Sequence, residues 1–219
     1  MLGLLTLGHS PRADLEVPFR SILPSSVPIA MKGGLDGLTP DAILLLAKQA
    51  GEHPLHVITQ DGPVVIQQEA LIGPLEQRAN ELADAGAKLV VLLCAGDFPP
   101  FQSQAVVILP GQLLENKARS TAGSSRLGVV VPAESQVQAA GRRWRQAGFE
   151  PAVMLPPDGT GAVEELIDNL RSAEVEQVVL DCISFTWGLK QKLHEELGVP
   201  VWLPSELAAR EAKEQLLVV

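Results

Sequence analysis

Cysteine is scarce in this chain of 219 residues: there are two, Cys94 and Cys182. Two are too few for a disulfide scaffold, and in a reducing cytosol both are expected to remain thiols. Metal-binding spacings are missing as well. Neither C-x-x-C nor H-E-x-x-H occurs, so no metal site is expected. Basic residues are outnumbered, with 17 Lys plus Arg against 26 Asp plus Glu and a net charge of −9. A nucleic-acid partner, which needs a basic face, is therefore not expected. No apolar run reaches the roughly 18 residues of a membrane span, so no membrane partner is expected. The stretch Met1-Leu2-Gly3-Leu4-Leu5-Thr6-Leu7-Gly8 lacks the positive start and small-residue cleavage site of a secretory signal, and reads as a first strand. Together these absences point to a cytoplasmic protein.

What is present is the composition of a globular chain, 46% hydrophobic and 20% charged, long enough for one large domain or two small ones. Both cysteines sit in the same kind of context. Val91-Leu92-Leu93-Cys94-Ala95-Gly96-Asp97-Phe98 is an apolar run that stops at a thiol and a small, flexible turn. Val178-Val179-Leu180-Asp181-Cys182-Ile183-Ser184-Phe185 has the same shape. Each thiol falls where a buried strand ends and a loop begins, the edge at which open α/β sheets bind ligands.

Along the chain, residues 2–7 read as a strand followed by the polar loop Gly8-His9-Ser10-Pro11-Arg12. The Pro- and Ser-rich region from Val17 to Val27 reads as a short helix and a loop, and Gly33 to Leu38 as a turn-rich segment. Thr39 caps a helix with Pro40 at its first position and Gly51 at its end. Leu55–Thr59 and Val64–Ile66 form a hairpin around Gln60-Asp61-Gly62-Pro63. Leu71, Leu75, Ala79 and Leu82 recur at helical spacing from about Gln68 to Ala85. Strands follow at Lys88–Leu93 and Ala105–Leu109, then a helix near Leu113–Thr121 and the small, polar linker Ala122-Gly123-Ser124-Ser125-Arg126. The arrangement then restarts. Leu127-Gly128-Val129-Val130-Val131 echoes Leu2-Gly3-Leu4-Leu5-Thr6, a helix spans about 135–147, and a strand covers Pro151–Leu155. Further helices span about 162–172 and 187–197, strands lie at Gln177–Leu180 and Val199–Leu203, and Ser205 caps a last helix. Helices alternating with short apolar strands imply parallel sheets covered on both faces.

A thiolate at a strand end can accept backbone N–H bonds from the loop that follows, which favours its charged form. Two such groups on opposite faces of one carbon can deprotonate and reprotonate it without a cofactor. The carbanion then needs N–H or hydroxyl donors, for which Ser10, Ser184 and the amides of Ala95 and Gly96 are candidates. Arg12 is a fork suited to a carboxylate, with a surface ion pair as the rival reading. Each cysteine is equally read as an inert, buried strand-end residue. Asp181 would face the other side of its strand as a structural acceptor. Asp97 reads as a loop cap or an acid, and His9 as a loop histidine near the site. Glu134 and Gln136 either line the cleft or cap the helix at 135. Asp158-Gly159-Thr160-Gly161 is taken as a helix cap, and Arg142, Arg143 and Arg145 as a solvated helix face.

Several of these stretches together resemble the AroM family. They are Thr6-Leu7-Gly8-His9-Ser10-Pro11-Arg12, Gly34-Leu35-Asp36-Gly37-Leu38, Leu92 to Pro99 around Cys94, and Gly128-Val129-Val130-Val131-Pro132 with Glu134 and Gln136. Leu180-Asp181-Cys182-Ile183-Ser184-Phe185 follows, and then Pro200-Val201-Trp202-Leu203-Pro204 with Ala209 and Arg210. That family in turn resembles the aspartate/glutamate racemase superfamily. In the superfamily two pseudo-symmetric α/β lobes each bring a cysteine to a central cleft, without metal or pyridoxal phosphate. Cys94 and Cys182 match those two positions. Racemases often carry Asn-Thr after the first cysteine and Thr-His after the second. Here Ala95-Gly96 and Ile183-Ser184 stand instead, which argues against an α-amino acid and for a carboxylate lacking the amine, or an aromatic one.

The resemblance implies an α/β fold of two pseudo-symmetric lobes with mainly parallel sheets flanked by helices and an active-site cleft between the lobes. Residues 1–112 form the first lobe and 113–202 the second, with a C-terminal helix at 203–219 packing back on the first. The expected function is a cofactor-independent racemase or isomerase, or a related lyase, acting on a small carboxylate. Cys94 and Cys182 would be catalytic, and Ser10, Arg12, Ala95, Gly96, Glu134 and Ser184 would hold the substrate. A homodimer is the expected assembly by base rate. The alternative is a metabolite-binding or regulatory protein without catalysis, linked to aromatic amino-acid metabolism.

Overall fold

A computed structural model describes residues 1–121, 125–156 and 162–217. The expected cap at 158–161 and most of the linker at 122–126 lie outside the described residues. The chain divides into two units, Met1–Leu109 together with Ala208–Val219, and Pro110–Leu207.

In the first unit β1 (Leu2–Thr6), β2 (Ile29–Gly33), β5 (Leu89–Leu92) and β6 (Val106–Ile108) form an all-parallel sheet in the order β2-β1-β5-β6. Parallel neighbours need crossover connections. These are α1 (Ala13–Ile22) and the run α2 (Pro40–Ala47), β3 (Pro54–Thr59), β4 (Gly62–Gln67) and α3 (Gln68–Asp84). β3 and β4 pair antiparallel as a separate hairpin. Thr39 caps α2 by accepting from the Ala42 N–H. Leu71, Leu75, Ala79 and Leu82 are the buried stripe of α3 and pack with Val90, Leu92 and Phe98 in one core. Each of the fully buried Leu, Val and Phe side chains contributes roughly 1.5–3 kcal/mol.

In the second unit β7 (Arg126–Val130), β8 (Glu150–Met154), β9 (Gln177–Leu180) and β10 (Val201–Trp202) form another all-parallel sheet, in the order β10-β9-β7-β8. α5 (Glu134–Gln146), α6 (Ala162–Ser172) and α7 (Trp187–Leu197) connect its strands. α4 (Pro110–Arg119) precedes β7, and α8 (Pro204–Leu217) follows β10. Trp144 and Phe149 pack edge to face, with centroids 5.7 Å apart, inside the core under α5. Among the described residues no helix is long and apolar enough to cross a membrane.

Numbered by their order within a unit, the four sheet strands lie second-first-third-fourth in both units. The echo between the first strands is therefore topological. Gly3 and Gly128 sit at matching places, opposite Val90 and Val178. A Cβ on Gly3 would lie 3.1 Å from Leu82 Cδ1, and one on Gly128 2.7 Å from Leu170 Cδ2. Glycine is needed at both because a helix packs directly on the strand.

Three local expectations change, and one strand lies outside them. Residues 29–32, unassigned from the sequence, form edge strand β2 with Gly33 and are only half-buried. α1 begins at Ala13, ahead of the expected region, behind an Arg12 cap position whose side chain does not cap the helix, and it carries Pro18 inside. α2 stops at Ala47 rather than at Gly51. Ser205 does not cap α8, which starts at Pro204; its hydroxyl is buried without a hydrogen-bond partner.

Candidate active site

Both cysteines stand two residues beyond the third strand of their unit, and the same backbone turn places them. The Leu93 N–H donates to Leu5 O (2.7 Å) and the Cys94 N–H to Leu92 O (2.8 Å). In the second unit the Asp181 N–H donates to Val130 O (2.8 Å) and the Cys182 N–H to Leu180 O (2.8 Å). Each thiol thus follows a γ-turn, an i to i+2 bond common at strand ends. In a second-first-third-fourth sheet, connections from the first and third strands leave in opposite directions. The crevice at their carboxyl ends is the switch point where ligands bind.

In the first unit this edge gathers the loop after β1, with Ser10 and Arg12, and the loop after β5, with Cys94, Ala95 and Gly96. In the second unit it gathers Glu134 after β7, and Cys182 and Ser184 after β9. Both thiols are partly exposed and neither is in a disulfide. The Gly96 N–H donates to Cys94 Sγ at 3.3 Å. Ala95 is buried beside it, and Phe98 is buried in the core below. Cys182 Sγ lies 3.1 Å from Ser184 Oγ, and either atom can be the donor.

The anchoring groups are engaged within the chain. The Ser10 N–H and hydroxyl donate to the two Asp36 oxygens (2.8 and 2.7 Å), and the Gly33 N–H adds a third bond (2.7 Å). Burial pushes the Asp36 carboxyl up, but these bonds and the nearby His9 outweigh it and hold the group below the usual carboxylate range. Sequence reasoning left Asp36 unassigned inside a turn; its signal was one acid in an otherwise apolar and glycine-rich stretch. The loop is further fixed by close backbone approach. A Cβ on Gly8 would lie 1.9 Å from Ile58 O, and one on Gly33 2.1 Å from Gly8 O. His9 turns toward the hairpin, where its Nδ1 accepts from the Gln60 N–H at 3.3 Å. Arg12 grips Asp14 with both arms of its fork, at 2.9 and 2.6 Å, and this guanidinium holds the Asp14 carboxyl below its ordinary value. Glu134 and Ser184 are exposed.

Behind Cys182, Asp181 faces the other side of its strand as an acceptor. It receives Trp144 Nε1 (2.9 Å) and Arg143 Nη1 (3.1 Å), and Arg143 Nη2 also donates to Gly111 O (3.1 Å). Burial raises the Asp181 carboxyl against the opposing pull of Arg143 and Trp144. Arg143 is therefore not part of a solvated helix face: its side chain is 18% exposed and that of Asp181 6%. Among the described residues no three His, Cys, Asp or Glu side chains gather as metal ligands would.

The family model for AroM protein matches residues 2–216. The chain belongs to the AroM family. No curated protein matches it. Among solved structures, allantoin racemase from Klebsiella pneumoniae is similar with a TM-score of 0.64 at 18% identity, over 99% of this chain and 87% of that one. The maleate isomerase Iso from Pseudomonas putida S16 gives 0.62 at 12% identity, over 99% and 93%. Glutamate racemase from Aquifex pyrophilus gives 0.55 at 15% identity, over 98% and 83%. This AroM-family chain thus has the fold of the aspartate/glutamate racemase superfamily.

Proposed function

We propose that this AroM-family protein is a cofactor-independent isomerase of the racemase type that moves a proton on a small carboxylate. Cys94 and Cys182 are the two groups that remove and return it. The observation that carries this reading is the matched placement of the thiols, each at the switch point of its own sheet behind the same γ-turn. One thiolate takes the proton from the carbon next to the carboxylate and becomes a thiol. The other, starting as a thiol, gives its proton to the opposite face and becomes a thiolate, so charge and protons balance. Ser184 and the backbone N–H groups of Ala95 and Gly96 steady the enolate-like intermediate. Arg12 receives the carboxylate by exchanging Asp14 for it, and Glu134 borders the site. Because both groups are thiols, we place the protein in the reducing cytoplasm.

One observation favours a second reading, a metabolite binder without catalysis. The Ser10 hydroxyl proton and the Arg12 fork are already taken by Asp36 and Asp14. Incubation in D₂O with a panel of small carboxylates, read by mass spectrometry, separates the two. Deuterium incorporation that disappears in both Cys94→Ala and Cys182→Ala is the expected result. Binding seen by thermal shift, with no incorporation from any acid, would leave the binder reading in its place.

A further inference from the structure

The segment after each thiol differs between the units. After Cys94 the chain runs to β6 without a helix, and its aromatics turn inward. Phe98 is buried and packs edge to face on Phe101, with centroids 5.9 Å apart. After Cys182 the chain turns, with the Phe185 N–H donating to Cys182 O, and enters α7 at once behind the Thr186 cap. The first residue of α7 is Trp187, which is 45% exposed. Among the described residues it is the one large hydrophobic side chain exposed in the second unit. The other two tryptophans satisfy their indole N–H groups internally, Trp144 on Asp181 and Trp202 on Gln177.

Trp187 is nevertheless held. Lys190 Nζ sits over its ring, 4.6 Å from the centroid, and Lys190 is fixed in turn by an ion pair with Glu206, a buried residue of the first turn of α8. A cation over one face restrains the ring and draws electron density from the other. Helical side chains lean toward the helix N-terminus, and it is at that end of α7 that the loop carrying Cys182 and Ser184 enters. Trp187 lies five positions after Cys182, a span of at most about 18 Å, and the turn shortens it.

From this arrangement we infer that Trp187 is a stacking platform for the substrate, and that the substrate is a planar carboxylate, aromatic or conjugated. A flat π-system covers the open indole face, whose electron density the cation on the other side draws down. This rests on the proton-transfer site proposed above and adds to it the class of acid.

Calorimetric titration with trans-cinnamate and with 3-cyclohexylpropionate, its saturated counterpart, tests the platform. The wild type binds cinnamate about tenfold more tightly than the saturated acid. Trp187→Leu abolishes that preference, and Trp187→Phe keeps cinnamate affinity within about threefold. Urea unfolding confirms that both variants fold. Equal affinity for the two acids in the wild type overturns the inference. So does an unchanged preference in Trp187→Leu, binding of neither acid at millimolar concentration, or a lower molecular mass of Trp187→Leu in light scattering. Deuterium exchange without preference for planar acids removes the platform and leaves the proton-transfer reading standing. Planar preference in a protein that exchanges no acid does the reverse.

Discussion

The two thiol-bearing turns share a backbone and differ in what stands behind it. Leu93 and Asp181 occupy the same place, one residue before the cysteine, and their N–H groups make equivalent bonds to the neighbouring first strand. Leu93 is a buried apolar side chain. The Asp181 carboxyl is buried, held by Arg143 and Trp144. The sulfurs differ likewise: Cys94 Sγ accepts a backbone N–H, and Cys182 Sγ meets a hydroxyl. One turn is kept by packing and the other by a buried polar network. The shared part is the placement of the thiol, and that is the part the proposed chemistry requires.

Removal of either thiol is the largest way to disturb the comparison. Cys94→Ala and Cys182→Ala should each slow deuterium exchange by about a hundredfold or more, and the double variant should be little worse, because the two groups act as a unit. The next largest effect is on stability. Asp181→Ala leaves Arg143 without its carboxylate partner and should cost about 3 kcal/mol in urea unfolding. Asp181→Leu combined with Arg143→Met, which copies the apolar bracing at Leu93, should recover most of that loss. Gly3→Ala and Gly128→Ala should cost about 1–3 kcal/mol each, since both force a methyl group against a packed helix. A clear inequality between them would show that the sheets are less alike than their topology.

The smallest effects are pH dependences of opposite sign. Asp36 is held below its ordinary value, so it favours the folded state above about pH 4, and that contribution fades as the pH falls through its folded value. Asp36→Asn should therefore lose stability at neutral pH and match the wild type in strong acid. Asp181 is raised, so its proton linkage favours the folded state in acid and fades as the pH rises through its folded value. The wild type's advantage over Asp181→Asn should therefore be greatest in acid. Urea midpoints across pH 2–8 check both.

The regular elements were legible where the pattern was strong. The stripe on α3, the Thr39-Pro40 start of α2 and the two strands ending at thiols follow from spacing and capping. Edge strand β2 was not, because Ile29–Gly33 is half-buried and carries no clean alternation. The start of α1 was hidden by a cap without a hydroxyl or carboxylate and by Pro18 within the helix. At the site, the strand-end cysteines were visible because an apolar run stops at each. The hold of Asp36 on Ser10 and of Asp181 on Arg143 was not, since these partners lie 26 and 38 residues apart and no local rule joins them.

The proposed chemistry requires thiols of two different units to act on one ligand. Site-resolved alkylation tests it most directly. Iodoacetamide labelling of Cys94 and Cys182 is followed peptide by peptide while a carboxylate that undergoes exchange is titrated in. The account predicts that both thiols are protected together, with the same half-saturating concentration. Protection of one thiol alone, or of neither by a carboxylate that binds, would contradict it.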